Sequence, residues 1–400
     1  MSALFTPKLL GETEIKNSFV HSATYECMAD SRGGVTDKLI KRYSRLAKGG
    51  VGLIIPGYCF VSPNGRAMNF QTGIHNDNMI AGLKKLVDAV HTGGSKIAFQ
   101  LVHSGRQTAK DTIGQTQIAP SKGSMDTIYM ARPKEMSEHE IQEVITAFGS
   151  AASRAEKAGA DGVQVHAAHG YLVNQFLSPF FNRRSDSWGG SDENRFRFIK
   201  KVIIEIKKNI SDNMMLLVKL NTQDFTPKAG ITLNLAEKYS AWLAELPIDG
   251  LEVSCGTLSY SMFNMIRGDV PTREIITNFP WWRKNLAKIM LTKMEGKFDL
   301  DEGYNLEAAK LIKPAIGDIP LMVVGGMRKI SHMEEVVENG YANFISMSRP
   351  FIREPNLVNK FKDGKTDEVS CVSCNKCFAG VANHMPVACY YKGFPQHQNK

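Results

Sequence analysis

The stretch Ser137–His166, SEHEIQEVITAFGSAASRAEKAGADGVQVH, carries the local pattern that decides the fold. Ser137 and Glu140 have the spacing of a capping box, in which each side chain satisfies a free backbone N–H of the other. The helix they open shows Ile141, Val144, Ile145, Phe148, Ala152 and Ala155 on one face, the 3.6-residue stripe of an amphipathic helix. Gly159 stops it, and Gly162–His166 reads as a buried strand.

The same order recurs on both sides. Thr36 is placed to cap a helix with Leu39, Ile40, Tyr43, Leu46 and Ala47 inward; Gly49-Gly50 ends it and the strand Val51–Ile55 follows. Leu235–Leu246 precedes Gly250–Ser254, and Met333–Asn339 precedes Asn343–Met347. Ser18–Ala23, Ile97–Val102, Met215–Leu220 and Leu321–Val324 complete eight strands, apolar throughout as parallel strands buried on both faces are. This predicts an α/β fold, a (β/α)8 TIM barrel, with a doubly wound sheet as the alternative. No G-x-G-x-x-G follows the first strand, which counts against the sheet. The domain reading is a barrel over 1–365, interrupted by a lid or insertion at 258–303 after strand six, and a Cys-rich tail over 366–400.

The chain has 400 residues, 43% hydrophobic and 22% charged, which excludes a disordered or fibrous protein. No apolar run approaches the ~18 residues of a membrane helix, and the N-terminus lacks a secretory pattern, so a cytoplasmic protein with no membrane partner is expected. The charge of +9 is dispersed, without the aromatic and basic interleaving of an RNA surface, so no nucleic acid is expected.

Catalytic groups of such barrels lie where strands end at the C-terminal face. Those ends carry Ser22 and Thr24, Gly57 and Tyr58, Gln100 and His103, His166 and His169, Lys219 and Asn221, Ser254 and Cys255, Gly325 and Gly326, and Ser348 and Arg349. The last two pairs could bind phosphate, or serve as tight turns with Arg349 paired to an acid. His166 and His169 could ligate a metal or donate two hydrogen bonds to one developing oxyanion; no third carboxylate ligand is evident, which favours hydrogen bonding. Tyr171, two residues on, has a phenol suited to proton delivery.

The run from His166 through Gly170-Tyr171, Ser178-Pro179, Asn182-Arg183-Arg184 and Trp188-Gly189-Gly190 to Arg195 closely resembles the signature of the old yellow enzyme family of flavin-dependent oxidoreductases. Lys16-Asn17, Gln100–Arg106 and the two glycine and serine loops support it, over about residues 5–362. The resemblance implies FMN held non-covalently at the C-terminal face, with NAD(P)H as reductant. Ser22, Ala23, Thr24 and Gly57 should line the flavin. Gln100 should hydrogen-bond its pyrimidine ring, and Lys219 should stand near N1, where the family commonly has arginine. Gly325, Gly326, Ser348 and Arg349 should hold the phosphate. By the same resemblance His166 and His169 grip a substrate carbonyl oxygen, and Tyr171 protonates an activated alkene that receives hydride. The run Asn182–Arg197 should be structural. The first-strand motif lacks the proline and near-flavin cysteine of one bacterial branch, so either Thr24 or Tyr25 stands beside flavin C4a, and Cys27 is not expected to tune it.

Of seven cysteines, four crowd the tail as Cys371-x2-Cys374-x2-Cys377-x11-Cys389. The spacing suits a four-thiolate iron–sulfur cluster or zinc, or marks a reduced, metal-free set. It also resembles the cluster motif of the dienoyl-CoA reductases and trimethylamine dehydrogenases, which continue into further nucleotide-binding domains. A dienoyl-CoA or amine oxidoreductase is therefore an alternative, as is a non-catalytic cluster module. The expected partners are a small-molecule substrate and a pyridine nucleotide, with a separate redox partner and a homo-oligomer left open.

Overall fold

The computed structural model describes residues 2–395 except Ser124, Thr127 and Ala131, so the last five residues of the 366–400 tail lie outside the described residues. Eight strands form the centre: β1 Phe19–His21, β2 Leu53–Ile54, β3 Lys96–Val102, β4 Gly162–Ala167, β5 Met215–Asn221, β6 Gly250–Ser254, β7 Leu321–Val324 and β8 Phe344–Met347. Each pairs in parallel with the next, and β8 returns to β1 through Ile345 opposite Phe19. A ladder that closes has no edge strands, so this is the (β/α)8 barrel and not an open sheet.

The enclosing helices are α1 Asp37–Lys48, α2 Ile80–Thr92, α3 Glu138–Lys157, α4 Asp192–Lys207, α5 Leu233–Ala244, α6 Leu306–Ala315, α7 Ile330–Glu338 and α8 Leu357–Lys362. The capping box forms at α3: Ser137 N–H donates to Glu140 Oε2 at 2.9 Å and Glu140 N–H to Ser137 Oγ at 3.3 Å. At α1 the expectation needs correcting. Thr36 holds the cap position, but its hydroxyl donates to the Met28 carbonyl at 2.6 Å instead of capping.

Inside the barrel, Val20, Leu53, Ala98, Leu217, Met322 and Phe344 fill the lower layers. The hairpin of Lys8–Leu10 with Thr13–Ile15 plugs the N-terminal end through Leu10 and Ile15. Side chains of a strand alternate between its two faces, so the inward set on β5 runs Met215, Leu217, Lys219, Asn221. The equivalent upper positions on other strands are Gln100, Gln164, His166, Glu252 and Ser346, all buried. The interior therefore turns from apolar to polar toward the C-terminal face.

Between β6 and α6 the chain forms helices Met262–Met265, Thr272–Ile275 and Trp281–Thr292. The insertion shares a small apolar core with the tail helix Lys376–Ala382, through Phe263, Val270, Ile275, Ile276 and Ala379. Asn375 Nδ2 donates to the carbonyls of Ile266 and Asp269 at 2.8 and 2.9 Å, and Asn383 Nδ2 to Glu274 O at 2.8 Å. Insertion and tail pack as one unit. No helix among the described residues is long and apolar enough to cross a membrane.

Candidate active site

A chain of buried polar contacts crosses the upper barrel. Gln100 Nε2 donates to Gln164 Oε1 at 2.7 Å, and Gln164 Nε2 to Glu252 Oε2 at 2.9 Å. Lys219 Nζ lies 3.2 Å from Glu252 Oε2 and donates to Ser22 Oγ at 2.8 Å. Lys219 is thus a buried cation held between β1 and β6, its charge already balanced by Glu252. A buried charge persists only when so paired. The register sets Lys219 opposite His166.

Above this layer stands the His–Tyr group. The rings of His166 and His169 are 5.1 Å apart and perpendicular, and those of His166 and Tyr171 are 4.9 Å apart. His169 has a φ of +62°, the left-handed turn that brings its ring back over the strand end, and its Nε2 meets Ser254 Oγ at 2.7 Å. Burial, with the Lys219 charge nearby, holds both imidazoles far below the usual histidine range, so both are neutral. A neutral imidazole carries one N–H donor, as an oxyanion-binding pair requires. The Tyr171 phenol donates to Tyr58 Oη at 3.0 Å, and burial pushes its pKa up to about 12. Tyr25 stacks on Tyr58 with centroids 6.0 Å apart.

The other expected positions distribute around the mouth. Thr24 Oγ1 meets Ser348 Oγ at 2.6 Å, which ties the ends of β1 and β8 and leaves Tyr25 with the tyrosines. Ala23 packs on the interior cluster. Gly57 N–H donates to Glu26 Oε1 at 2.7 Å, and a Cβ there would lie 2.2 Å from the Glu26 carboxylate, so this glycine makes room for Glu26. Gly325 and Gly326 end β7 beside the β8 end; Gly326 has a φ of +72°, and a Cβ on it would lie 2.7 Å from Asp301 O. The Arg349 guanidinium turns away from the mouth. It donates to Arg267 O at 2.7 Å and Asn375 Oδ1 at 2.6 Å, joining insertion to tail. The run after β4 forms a polar network in which Arg184 pairs with Asp186 at 2.6 Å.

Gln164 and Glu252 escaped the sequence reading because they sit mid-strand, where only the inward alternation marks them. Tyr58 and Ser254 stood among the strand-end polar residues without a role. Tyr129, whose phenol is pushed well above its ordinary pKa by burial and then by the Tyr171 phenol, comes from a distant loop. The buried Asp126 carboxylate accepts its N–H at 3.1 Å.

Four buried atoms of this polar layer have no hydrogen-bond partner: Gln100 Oε1, His166 Nδ1, Glu252 Oε1 and Ser346 Oγ. Buried polar atoms in native structures are nearly always satisfied, so orphans converging on one mouth mark where a polar ligand belongs. With the Gly325-Gly326 turn beside them, these residues fit a flavin mononucleotide. In the tail, Cys371, Cys374, Cys377 and Cys389 line one pocket with Arg349 and Arg353. Burial raises the Cys377 thiol to about 12. Among the described residues no group of three or more His, Cys, Asp or Glu is placed to hold a single metal ion.

Comparison with known proteins agrees with this geometry. The profile of the NADH:flavin oxidoreductase / NADH oxidase family matches residues 3–267 and 259–368. The chain is 30% identical over 380 residues to the 4,4'-dithiodibutanoate disulfide reductase of Rhodococcus erythropolis, covering 95% of this chain and 93% of the relative. It is 32% identical to the NADH oxidase of Thermoanaerobacter brockii over 94% of this chain but 54% of that protein. The structure of a 2-naphthoyl-CoA reductase superposes with a TM-score of 0.84 at 26% identity, over 97% of this chain and 56% of that one. The chain thus spans about half the length of some relatives and nearly all of another. With a closed barrel, a polar mouth and a match along most of its length, the chain belongs to the NADH:flavin oxidoreductase / NADH oxidase family, FMN-dependent oxidoreductases that draw on NAD(P)H.

Proposed function

We propose that the enzyme uses NAD(P)H to reduce an activated, α,β-unsaturated carbonyl-type alkene. The observation that carries this reading is the pair of neutral imidazoles beside a protonated phenol: His166 and His169 with rings 5.1 Å apart, and Tyr171 next to His166. Bound FMN supplies hydride chemistry between pyridine nucleotide and substrate. Gln100, Ser22 and Lys219 would hold its ring, and the Gly325-Gly326 and Ser348-Arg349 loops its phosphate. The Arg349 contribution there is backbone, since its side chain serves the tail. His166 and His169 donate to the substrate carbonyl oxygen and stabilise the negative charge that grows on it. Tyr171 delivers its proton to the α-carbon, and Tyr58 donates in turn to the phenolate left behind.

A second reading is favoured by the four-cysteine pocket and the half-length likeness to a CoA-ester reductase: a dienoyl-CoA or amine oxidoreductase carrying an iron–sulfur cluster. The four thiols line one pocket with the two close steps and one distant cysteine of a four-thiolate site.

Anaerobic stopped-flow spectroscopy tests both. Flavin bleaching by NAD(P)H followed by reoxidation with cyclohexenone supports the first reading. Bleaching by an amine, or reoxidation only by a CoA ester, overturns it in favour of the second. Iron analysis with the visible spectrum decides the cluster.

A further inference from the structure

The helix Trp281–Thr292 contains no buried residue. Only Arg283, Ala287 and Leu291 are partly covered, one stripe at helical spacing turned to the insertion core. The opposite side is open and apolar: Trp281 is 84% exposed, Trp282 59%, Leu286 64%, Ile289 56% and Met290 55%. Single exposed apolar residues are ordinary, but a contiguous face of five, including two tryptophans, is not.

The charges on this helix are all of one sign. Arg283, Lys284, Lys288 and Lys293 fall on or just after it, and no Asp or Glu occurs between Glu274 and Glu295. Among the described residues none of the four makes an ion pair; Lys284 meets the Thr277 carbonyl, and Arg283 meets the Ile128 carbonyl and lies over the Phe279 and Trp282 rings. On a helical projection Lys284 and Lys288 border one side of the apolar stripe and Arg283 the other, with Lys293 at its C-terminal end. A second copy seated face to face would bring two such cationic helices together with no acid on either helix to offset them, which disfavours self-association here. An anionic bilayer interface answers both features: Trp, Leu and Ile insert at the headgroup level while Lys and Arg pair with lipid phosphates.

We propose that the helix Trp281–Thr292 docks the enzyme onto an anionic lipid surface, lying in the plane of the interface. The contact from Arg283 to Ile128 joins the helix to the loop of Asp126 and Tyr129. The absence of a spanning segment does not bear on this, because an interfacial helix lies on the membrane without crossing it.

The experiment is flotation of the FMN-loaded enzyme with vesicles of phosphatidylcholine alone, or with about one-third phosphatidylglycerol, at low and high salt, together with tryptophan fluorescence. Co-flotation with the anionic vesicles only, with a blue-shifted emission, is expected. Two exposed substitutions, Lys284→Gln with Lys288→Gln, should weaken partition about 30-fold. Trp282→Ala with Ile289→Ser should abolish it while flavin content and circular dichroism stay native. No flotation of the wild type, or flotation untouched by both double variants, overturns the proposal. So does a dimer in light scattering that the apolar variant dissociates without any vesicle uptake, which would assign the face to a contact between copies.

Discussion

Tyr171 donates to Tyr58 across 3.0 Å, so the phenol proposed to protonate substrate is itself held by a second phenol. Tyr171 lies at the end of β4 and Tyr58 at the end of β2. When Tyr171 gives up its proton, Tyr58 is in place to donate to the phenolate. Burial raises the pKa of both, Tyr58 the more strongly. Tyr171→Phe should slow alkene reduction while sparing flavin reduction by NAD(P)H. Tyr58→Phe should slow the same half-reaction about tenfold, the effect of one hydrogen bond. Single-turnover kinetics of each half-reaction checks this, and equal loss in both halves would refute the donor role.

His166→Ala should leave the protein yellow and lower kcat/KM for cyclohexenone by about 10²–10³, the usual effect of removing one preorganised donor toward an oxyanion. Steady-state assay with flavin quantitation checks this. Unchanged kcat/KM would exclude the carbonyl-binding role.

Alkene reduction should stay free of a Tyr171 titration through neutral and mildly alkaline pH. The donor must be protonated, and its pKa of about 12 places the loss of rate only as pH rises toward that value. A pH profile of the alkene half-reaction with a basic limb near 10 would show that the phenol is less enclosed than described.

Stability should fall on acidification. His21 and His103, both held at about 3 by burial, and His166, held well below its ordinary value, are fully buried and neutral. Their pKa is lower folded than unfolded, so the unfolded chain takes up protons first as pH drops below about 6.5, and stability is lost from there down to the folded pKa. At pH 5.5 His21 and His103 together should cost about 3 kcal/mol, and His166 adds in the same direction. Urea titrations at pH 7.5 and 5.5 measure it.

Lys219→Met should destabilise the fold by about 3–5 kcal/mol, because Glu252 is left as a buried unpaired charge. Lys219→Met with Glu252→Leu should recover most of that stability and still bind flavin poorly. Denaturant midpoints and flavin affinity together check both halves of the claim.

Arg349→Ala removes the bonds to Arg267 and Asn375. Limited proteolysis should then cut the tail faster, with flavin retained. Loss of flavin with an intact tail would instead mark the guanidinium as a phosphate ligand.

The barrel was legible from the helix, glycine and strand order around Ser137–His166, because local periodicity and capping are short-range properties. The same holds for His166, His169 and Tyr171, which one turn brings together. Sequence alone could not show that Glu252 on β6 neutralises Lys219 on β5, that Tyr58 holds Tyr171, or that Arg349 turns from the mouth to the tail. Nor could it show that insertion and tail share one core, leaving the Trp281–Thr292 helix bare on its outer face. Each of those depends on which strand neighbours which and which way a side chain finds a partner, and burial around a closed barrel sets both.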